Sequence, residues 1–332
     1  MKLILSTLLI CLLASQSVFS ATTSKKKPSS KKSTPVTEPQ KVKGCISKTP
    51  YIGAIIVDAD SGAVLFEESA DATCYPASTL KLMTLLVIQE KIADGSVKLT
   101  DLVKISTKAC KTGGSQVYLD PRETFSVEDL LYALMIQSAN DAAVALAEHV
   151  AGTTEAFCEL MNARAKQIGM KSSNFITPNG LTTSADKEHD RSTPRDMAIL
   201  GRQLCKYPDV FKYTSTAERS LREGTKQQID MRTHNPFVKE HVDGCDGFKT
   251  GFTNIAGWSI VVTCKRNNRR IIIAVMGSEE RLMRDAKAKE LLNKVFAGVP
   301  SSGIPTTPIR TIKGTSGGTS PVPPPPPPPT AF

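Results

Sequence analysis

The sequence predicts an α/β (α+β) fold in which one sheet, drawn from both ends of the folded region, closes around a helical insertion. Three observations predict it. Short apolar runs at 51–57 and 63–68 flank Asp58-Ala59-Asp60-Ser61-Gly62, which is a β-hairpin signal. Two more strand-like runs, 258–265 and 270–276, lie near the far end. Between them the apolar residues recur at helical spacing. Strands at both ends with helices between suggest terminal elements that meet in one sheet. The 332 residues, 40% hydrophobic and 22% charged, exclude a wholly disordered chain and a polytopic membrane protein.

The N-terminus reads as an address. Lys2 precedes the apolar run Leu3–Leu13, and Val18-Phe19-Ser20 leads to a cleavage point at Ala21. This layout, 1–20, is that of a secretory signal peptide, with an uncleaved anchor as the other reading, and its apolar run is shorter than the roughly 20 residues a bilayer span requires. The expected location is therefore extracytoplasmic, in the periplasm or cell envelope. Residues 21–44 are rich in Lys, Ser, Thr and Pro and read as a linker. Residues 45–300 form the folded domain.

Within that domain the hairpin comes first. A helix is expected over 78–92, because its apolar residues keep helical spacing. Ser126-Val127-Glu128-Asp129 resembles a capping box opening a helix to about Gln137, and a second helix follows over 139–150. Ser192-Thr193-Pro194 is a further helix start, with Pro early in the first turn. The two late strands precede a helix over 281–296. Residues 301–332 are rich in Gly, Ser, Thr and Pro and carry the run Pro323–Pro329 near their end, a stiff polyproline rod expected to act as a spacer, with a docking peptide as the other reading.

The net charge of +10 is unevenly placed. Lys2, seven lysines against Glu38 in 21–43, and Arg310 and Lys313 in the tail hold +9 of it. The body is nearly neutral, so nucleic-acid binding is not expected. The basic linker is expected to touch anionic lipid or wall polymer weakly. Eight cysteines occur, and Cys11 departs with the signal. The remaining seven leave at least one unpaired within a monomer, and no C-x-x-C is present. The four histidines form no zinc motif, so neither metal nor cofactor is expected.

Three short motifs carry the chemistry. In Ser78-Thr79-Leu80-Lys81 the Ser and Lys share one helix face. At a helix start, the macrodipole and partial burial both disfavour the ammonium form. A neutral Lys81 can take the proton of Ser78 and activate it as a nucleophile. Four Ser-x-x-Lys matches occur, at Ser24, Ser29, Ser78 and Ser184, and only Ser78 follows a Pro and opens an apolar helix. Ser138-Ala139-Asn140 sits at a helix junction, where a hydroxyl relays a proton and an amide holds a peptide group. Lys249-Thr250-Gly251 lies at a strand edge, where a cation and a hydroxyl grip a carboxylate and Gly251 lets a substrate approach the backbone. Ser172/Asn174 and Lys111-Thr112-Gly113 are decoys, the latter because it precedes Ser138. Alone each motif is weak. In this order, and placed on these elements, they match the signature of penicillin-binding proteins and related β-lactamases.

The chain resembles the serine-type D-alanyl-D-alanine carboxypeptidases, the low-molecular-mass penicillin-binding proteins, over nearly all of 48–297. The resemblance rests on Tyr75–Thr84, Gly114-Ser115, Leu134–Ala143, Phe175–Leu181 and Asp246–Thr253. It implies a β-lactamase/DD-peptidase-like fold, an antiparallel sheet flanked by helices plus a helical subdomain, with the site between them. It implies Ser78 as acylated nucleophile, Lys81 as proton acceptor and Ser138 as relay. Asn140, Lys249, Thr250, Gly251 and Phe252 would bind substrate, with the oxyanion held by the N–H groups of Ser78 and Phe252. The implied substrates are peptidoglycan stem peptides ending in D-Ala-D-Ala, and β-lactams are the implied inhibitors. Phe252 stands where some relatives have a polar residue. About 30 residues follow the last helix, so the second all-β domain and amphipathic anchor of some relatives are not expected. Because the segments before Ser78 and Lys249 approach each other in the family fold, a Cys74–Cys245 disulfide is also expected. The other readings are a DD-endopeptidase, a non-catalytic wall-binding protein and, less well supported, a β-lactamase, for which Glu159 would have to serve as deacylation base.

Overall fold

The computed structural model describes residues 48–182 and 188–297. The expected signal peptide, linker and Pro-rich tail lie outside the described residues, as do Cys45 and the Ser184/Lys187 pair.

β1 (Gly53–Asp58) and β2 (Val64–Glu68) form the expected hairpin. Asp58 closes its turn by accepting the Ser61 N–H at 3.0 Å. A 3-10 turn, Ala77–Leu80, runs directly into α1 (Lys81–Ala93). The helical insertion continues with β3 (Leu102–Lys104), α2 (Thr107–Cys110), β4 (Thr124–Ser126), α3 (Val127–Tyr132), α4 (Asn140–Ala151) and α5 (Thr154–Ile168). It ends with α6 (Pro194–Leu204), α7 (Val210–Thr214), the small β5 (Glu218–Leu221)–β6 (Ile229–Arg232) hairpin and α8 (Pro236–Lys239). The chain then returns to the main sheet as β7 (Cys245–Thr253), β8 (Gly257–Arg266) and β9 (Arg269–Ser278), and closes with α9 (Arg281–Phe296).

The main sheet is antiparallel in the order β2-β1-β9-β8-β7, so the two ends of the domain meet at β1 and β9. Alternation along the strands divides the core. Ile55, Val57, Val261, Ile272 and Ala274 face the helical insertion, with α6 packed on β1 and β9. Ala54, Ile56, Val262, Ile271 and Ile273 face the other way, against Leu291, Leu292 and Val295 of α9. Both faces are covered, which explains why β9 reads as an unbroken apolar run rather than an alternating one.

The helix starts follow their caps. The Ser126 hydroxyl accepts the Asp129 N–H at 3.1 Å and opens α3. Thr193 accepts the Asp196 N–H at 3.1 Å and opens α6, with Pro194 in the first turn. The helix expected to run to Gln137 does not stay regular. It loosens to a π-helical turn at Ala133–Gln137 and stops at Ser138, whose φ of 61° is left-handed. That stop turns Ser138 and Asn140 out of the helix line.

β7 is the strand that sequence patterning only placed as an edge. Asp246, Gly247, Lys249, Thr250 and Gly251 interrupt any apolar alternation. Its place is secured from outside. Arg270 of β9 reaches across β8, donates at 2.7 Å to Thr263 Oγ1, and forks onto both carboxylate oxygens of Asp246 at 2.7 Å.

The expected Cys74–Cys245 disulfide is not formed. Cys74 Sγ–H donates to Ser192 O at 3.3 Å in a buried bridge between 74 and 192, and Cys245 instead faces Cys264 across β7 and β8. The strand register, which the spacing of cysteines in sequence does not encode, chose the neighbour.

Candidate active site

The 3-10 turn delivers Ser78 half-buried to the floor of a cleft of about 800 Å³, and Lys81 follows one turn later on the same face. Lys81 Nζ lies 2.9 Å from Ser78 Oγ, 2.7 Å from Asn140 Oδ1 and 2.7 Å from the Asn179 carbonyl oxygen. A neutral amine has two N–H donors and one lone pair. The Asn140 and Asn179 oxygens can only accept, so they take both donors. The third direction is then a lone pair aimed at the Ser78 hydroxyl.

The electrostatics favour that state. Lys81 has no solvent exposure, and burial holds its pKa well below the ordinary lysine value, with Lys249 adding repulsion. Asp141 and Asp190 pull the other way. Their carboxylates are themselves buried and serve the backbone. Asp190 accepts the Ile176 and Thr177 N–H groups at 2.7 and 3.0 Å, and Asp141 accepts those of Val117 and Leu119 at 3.1 Å.

Asn140, expected to hold substrate, has both ends of its amide engaged within the protein. Its Oδ1 takes the Lys81 hydrogen bond and its Nδ2 donates to Gly113 O at 2.8 Å. Thus the Lys111-Thr112-Gly113 segment, a decoy by its order in the chain, supplies a backbone carbonyl to the site. Ser138 lines the cleft with Ser78 and Ser115.

Opposite stands β7. Thr250, Gly251 and Phe252 line the cleft, while the Lys249 side chain is buried and donates to the Thr250 carbonyl at 3.0 Å. Burial and the nearby Arg284 bring the Lys249 pKa down to about 7. Gly251 was expected to admit a substrate. The structure assigns its missing side chain a different neighbour: a Cβ there would sit 2.8 Å from Pro76 O and 3.0 Å from Ser78 N. The glycine lets β7 close onto the turn that carries Ser78. Phe252 is 43% exposed and stacks on Trp258, ring centroids 3.9 Å apart.

Four residues that motif reading left without a role belong to this constellation. Asn179 gives a carbonyl to Lys81. His234 lines the cleft, and burial, Lys249 and Lys81 together push its pKa down to about 4, so it is neutral at neutral pH. Trp258 carries the Phe252 ring, and Arg284, buried, lies over Trp258 and donates to Ser259 O at 3.2 Å. Only Asn179 had a local signal, the turn Thr177-Pro178-Asn179-Gly180. Among the described residues no group of His, Cys, Asp and Glu could hold a metal ion. Glu159 is exposed on α5 and is not among the cleft-lining residues.

The family model of D-alanyl-D-alanine carboxypeptidases, peptidase S11, matches residues 48–280. A D-alanyl-D-alanine carboxypeptidase, DacF, of Bacillus subtilis is 36% identical over 244 residues, 74% of this chain and 61% of the relative. A D-alanyl-D-alanine endopeptidase of Escherichia coli is 30% identical over 249 residues, 74% of this chain and 77% of the relative. The solved structure of penicillin binding protein 5 from Haemophilus influenzae superposes with a TM-score of 0.68 at 34% identity, over 74% of this chain and 70% of that one. The chain spans about three-fifths of the length of the carboxypeptidase relatives it matches. No helix among the described residues is long and apolar enough to cross a membrane.

Proposed function

The chain belongs to the D-alanyl-D-alanine carboxypeptidase family, and we propose that it removes the terminal D-alanine from peptidoglycan stem pentapeptides through an acyl-enzyme on Ser78. The observation that carries this reading is the buried Lys81 amine, 2.9 Å from Ser78 Oγ with two fixed acceptors elsewhere.

Those contacts support the first step, and the later ones are proposed from the family resemblance. Lys81 takes the Ser78 proton as Oγ attacks the carbonyl between the last two D-alanines. The N–H groups of Ser78 and Phe252 face the developing oxyanion, a contribution of roughly 3–4 kcal/mol per donor in comparable sites. The closeness of Gly251 to the Ser78 nitrogen supports this, since it brings the following N–H to the same place. Lys249 and Thr250 bind the terminal carboxylate. The proton returns through Ser138 to the departing amine, D-alanine leaves, and water hydrolyses the ester. Penicillins acylate Ser78 by the same attack on their strained amide. They leave slowly, because Glu159 stands exposed on α5, away from the acyl group. The working unit is the domain 45–300, exported by the signal 1–20 to the cell envelope.

The test is D-alanine release from a pentapeptide ending in D-Ala-D-Ala, with the wild type and Ser78→Ala. Release by the wild type alone, with a penicillin adduct mapped to Ser78, is the expected result. Release by both variants overturns the assignment of the nucleophile. A second reading, DD-endopeptidase, is favoured by the Escherichia coli relative of that name. It uses the same Ser78 chemistry and is distinguished by cleavage of cross-linked dimer peptides in the same assay.

A further inference from the structure

Cys245 opens β7, and Cys264 lies directly opposite on β8. The adjacent pair, Gly244 and Lys265, is hydrogen-bonded, with the Lys265 N–H donating to Gly244 O at 2.8 Å. The Cys245 N–H turns away and donates to Val242 O at 2.9 Å. The two cysteines therefore occupy a non-hydrogen-bonded position of an antiparallel ladder, where facing Cα atoms come to about 4.5 Å. A disulfide spans Cα separations of about 4.4–6.8 Å, so the bridge fits without moving either strand far. The Cys264 Sγ–H donates to Asp243 O at 3.4 Å, a contact it gives up when the bridge forms. Cys264 is fully buried and Cys245 half-buried, so a small oxidant reaches the pair through Cys245. Both are free thiols here.

We propose that Cys245 and Cys264 form a redox modification site, which a small disulfide of the glutathione class converts to an intramolecular bridge clasping the start of β7 to β8. The electron balance is that of two exchanges. Cys245, the accessible thiol of the two, loses its proton as its sulfur attacks one sulfur of the oxidant and releases the first glutathione thiolate, leaving a mixed disulfide. The Cys264 thiolate then attacks the Cys245 sulfur and releases the second. The oxidant gains two electrons, the pair loses them, and the two thiol protons pass to the released thiolates. The bridge closes the hairpin between 245 and 264 at the entry to the strand that carries Lys249, Thr250 and Gly251. In the reduced chain this edge is held by the β8 ladder and by the Arg270–Asp246 fork. Oxidation adds a covalent hold at the same end and restricts the unfolded chain.

Full-length protein equilibrated with defined mixtures of oxidised and reduced glutathione tests this. Non-reducing peptide mapping is expected to find one bridge, Cys245 to Cys264. The unfolding midpoint is expected to rise by about 5–10 °C over the reduced protein. Cys245→Ser and Cys264→Ala should each lack that rise while keeping the reduced protein's rate of penicillin acylation. Two variants are used so that one poorly folding substitution does not decide the matter. A glutathione adduct that persists on Cys245, two thiols that stay free, a bridge to another cysteine, or a bridge without a rise in midpoint would each overturn the proposal.

Discussion

A lysine without solvent contact gives up its proton far more readily than one on the surface, and Lys81 has no such contact. Its value to the site lies in the lone pair that Asn140 and Asn179 leave facing Ser78. Lys81→Arg keeps the charge and loses that lone pair, because a guanidinium does not deprotonate. We expect it to slow acylation by fluorescent penicillin at least about 100-fold, the lower range for loss of a general base. The pH dependence has two limbs. The rate rises with pH as Lys81 deprotonates through its lowered pKa. If Lys249 binds the substrate carboxylate as a cation, as proposed, the rate falls again as it loses its proton through pH about 7. A bell-shaped profile of the second-order acylation rate is therefore expected, and Lys249→Arg should move its falling limb to higher pH. A profile whose alkaline limb is unmoved by that substitution would show that another group titrates.

At the scale of elements, the contact between β7 and the 3-10 turn sets the cleft. Gly251 lies close against that turn, so Gly251→Ala would push a methyl group against Pro76 O and Ser78 N. Overpacking of this kind commonly costs about 1–3 kcal/mol. The displaced strand would also move the Phe252 N–H, the second oxyanion donor of the proposed mechanism. The expected result is a lower unfolding midpoint together with an acylation rate reduced at least about 100-fold. Gly251→Ala with the wild-type acylation rate would mean that the strand and the turn are not coupled. β7 also shows why part of the fold was hard to read. Its polar residues and glycines mask the alternation that marks a strand, whereas β8 and β9, whose residues are chosen by burial, could be read directly. The helix starts were legible because their caps are local: Ser126 and Thr193 each bond to an amide three residues on. The π-helical turn before Ser138 had no comparable signal.

For the whole molecule, the packed body and the charged ends are separable expectations. Among the described residues, 48–182 and 188–297, the two core clusters and the cleft are built without a residue from the Lys-rich or Pro-rich ends. A chain of residues 44–300 is expected to unfold in one cooperative step and to release D-alanine with the kcat/KM of the full protein within about twofold. The full chain alone should bind anionic vesicles or wall polymer, with binding that weakens as salt rises, because the excess lysines lie in 21–43. Equal retention of both chains would move that contact onto the folded body.

The sequence by itself determined the fold class, the order of the three motifs and the elements carrying most of them. Those features depend on local spacing and caps, and on burial that leaves apolar runs in the chain. The tertiary structure alone decided which distant groups meet. It set the Asn179 carbonyl and the Asn140 amide on Lys81, brought His234 and Arg284 to the cleft, turned Gly251 toward the turn that carries Ser78, and paired Cys245 with Cys264 rather than Cys74. The reason is physical. Such contacts join residues from 19 to 175 positions apart. They are fixed by strand register and packing of the assembled core, which leave no mark in the spacing of any one segment.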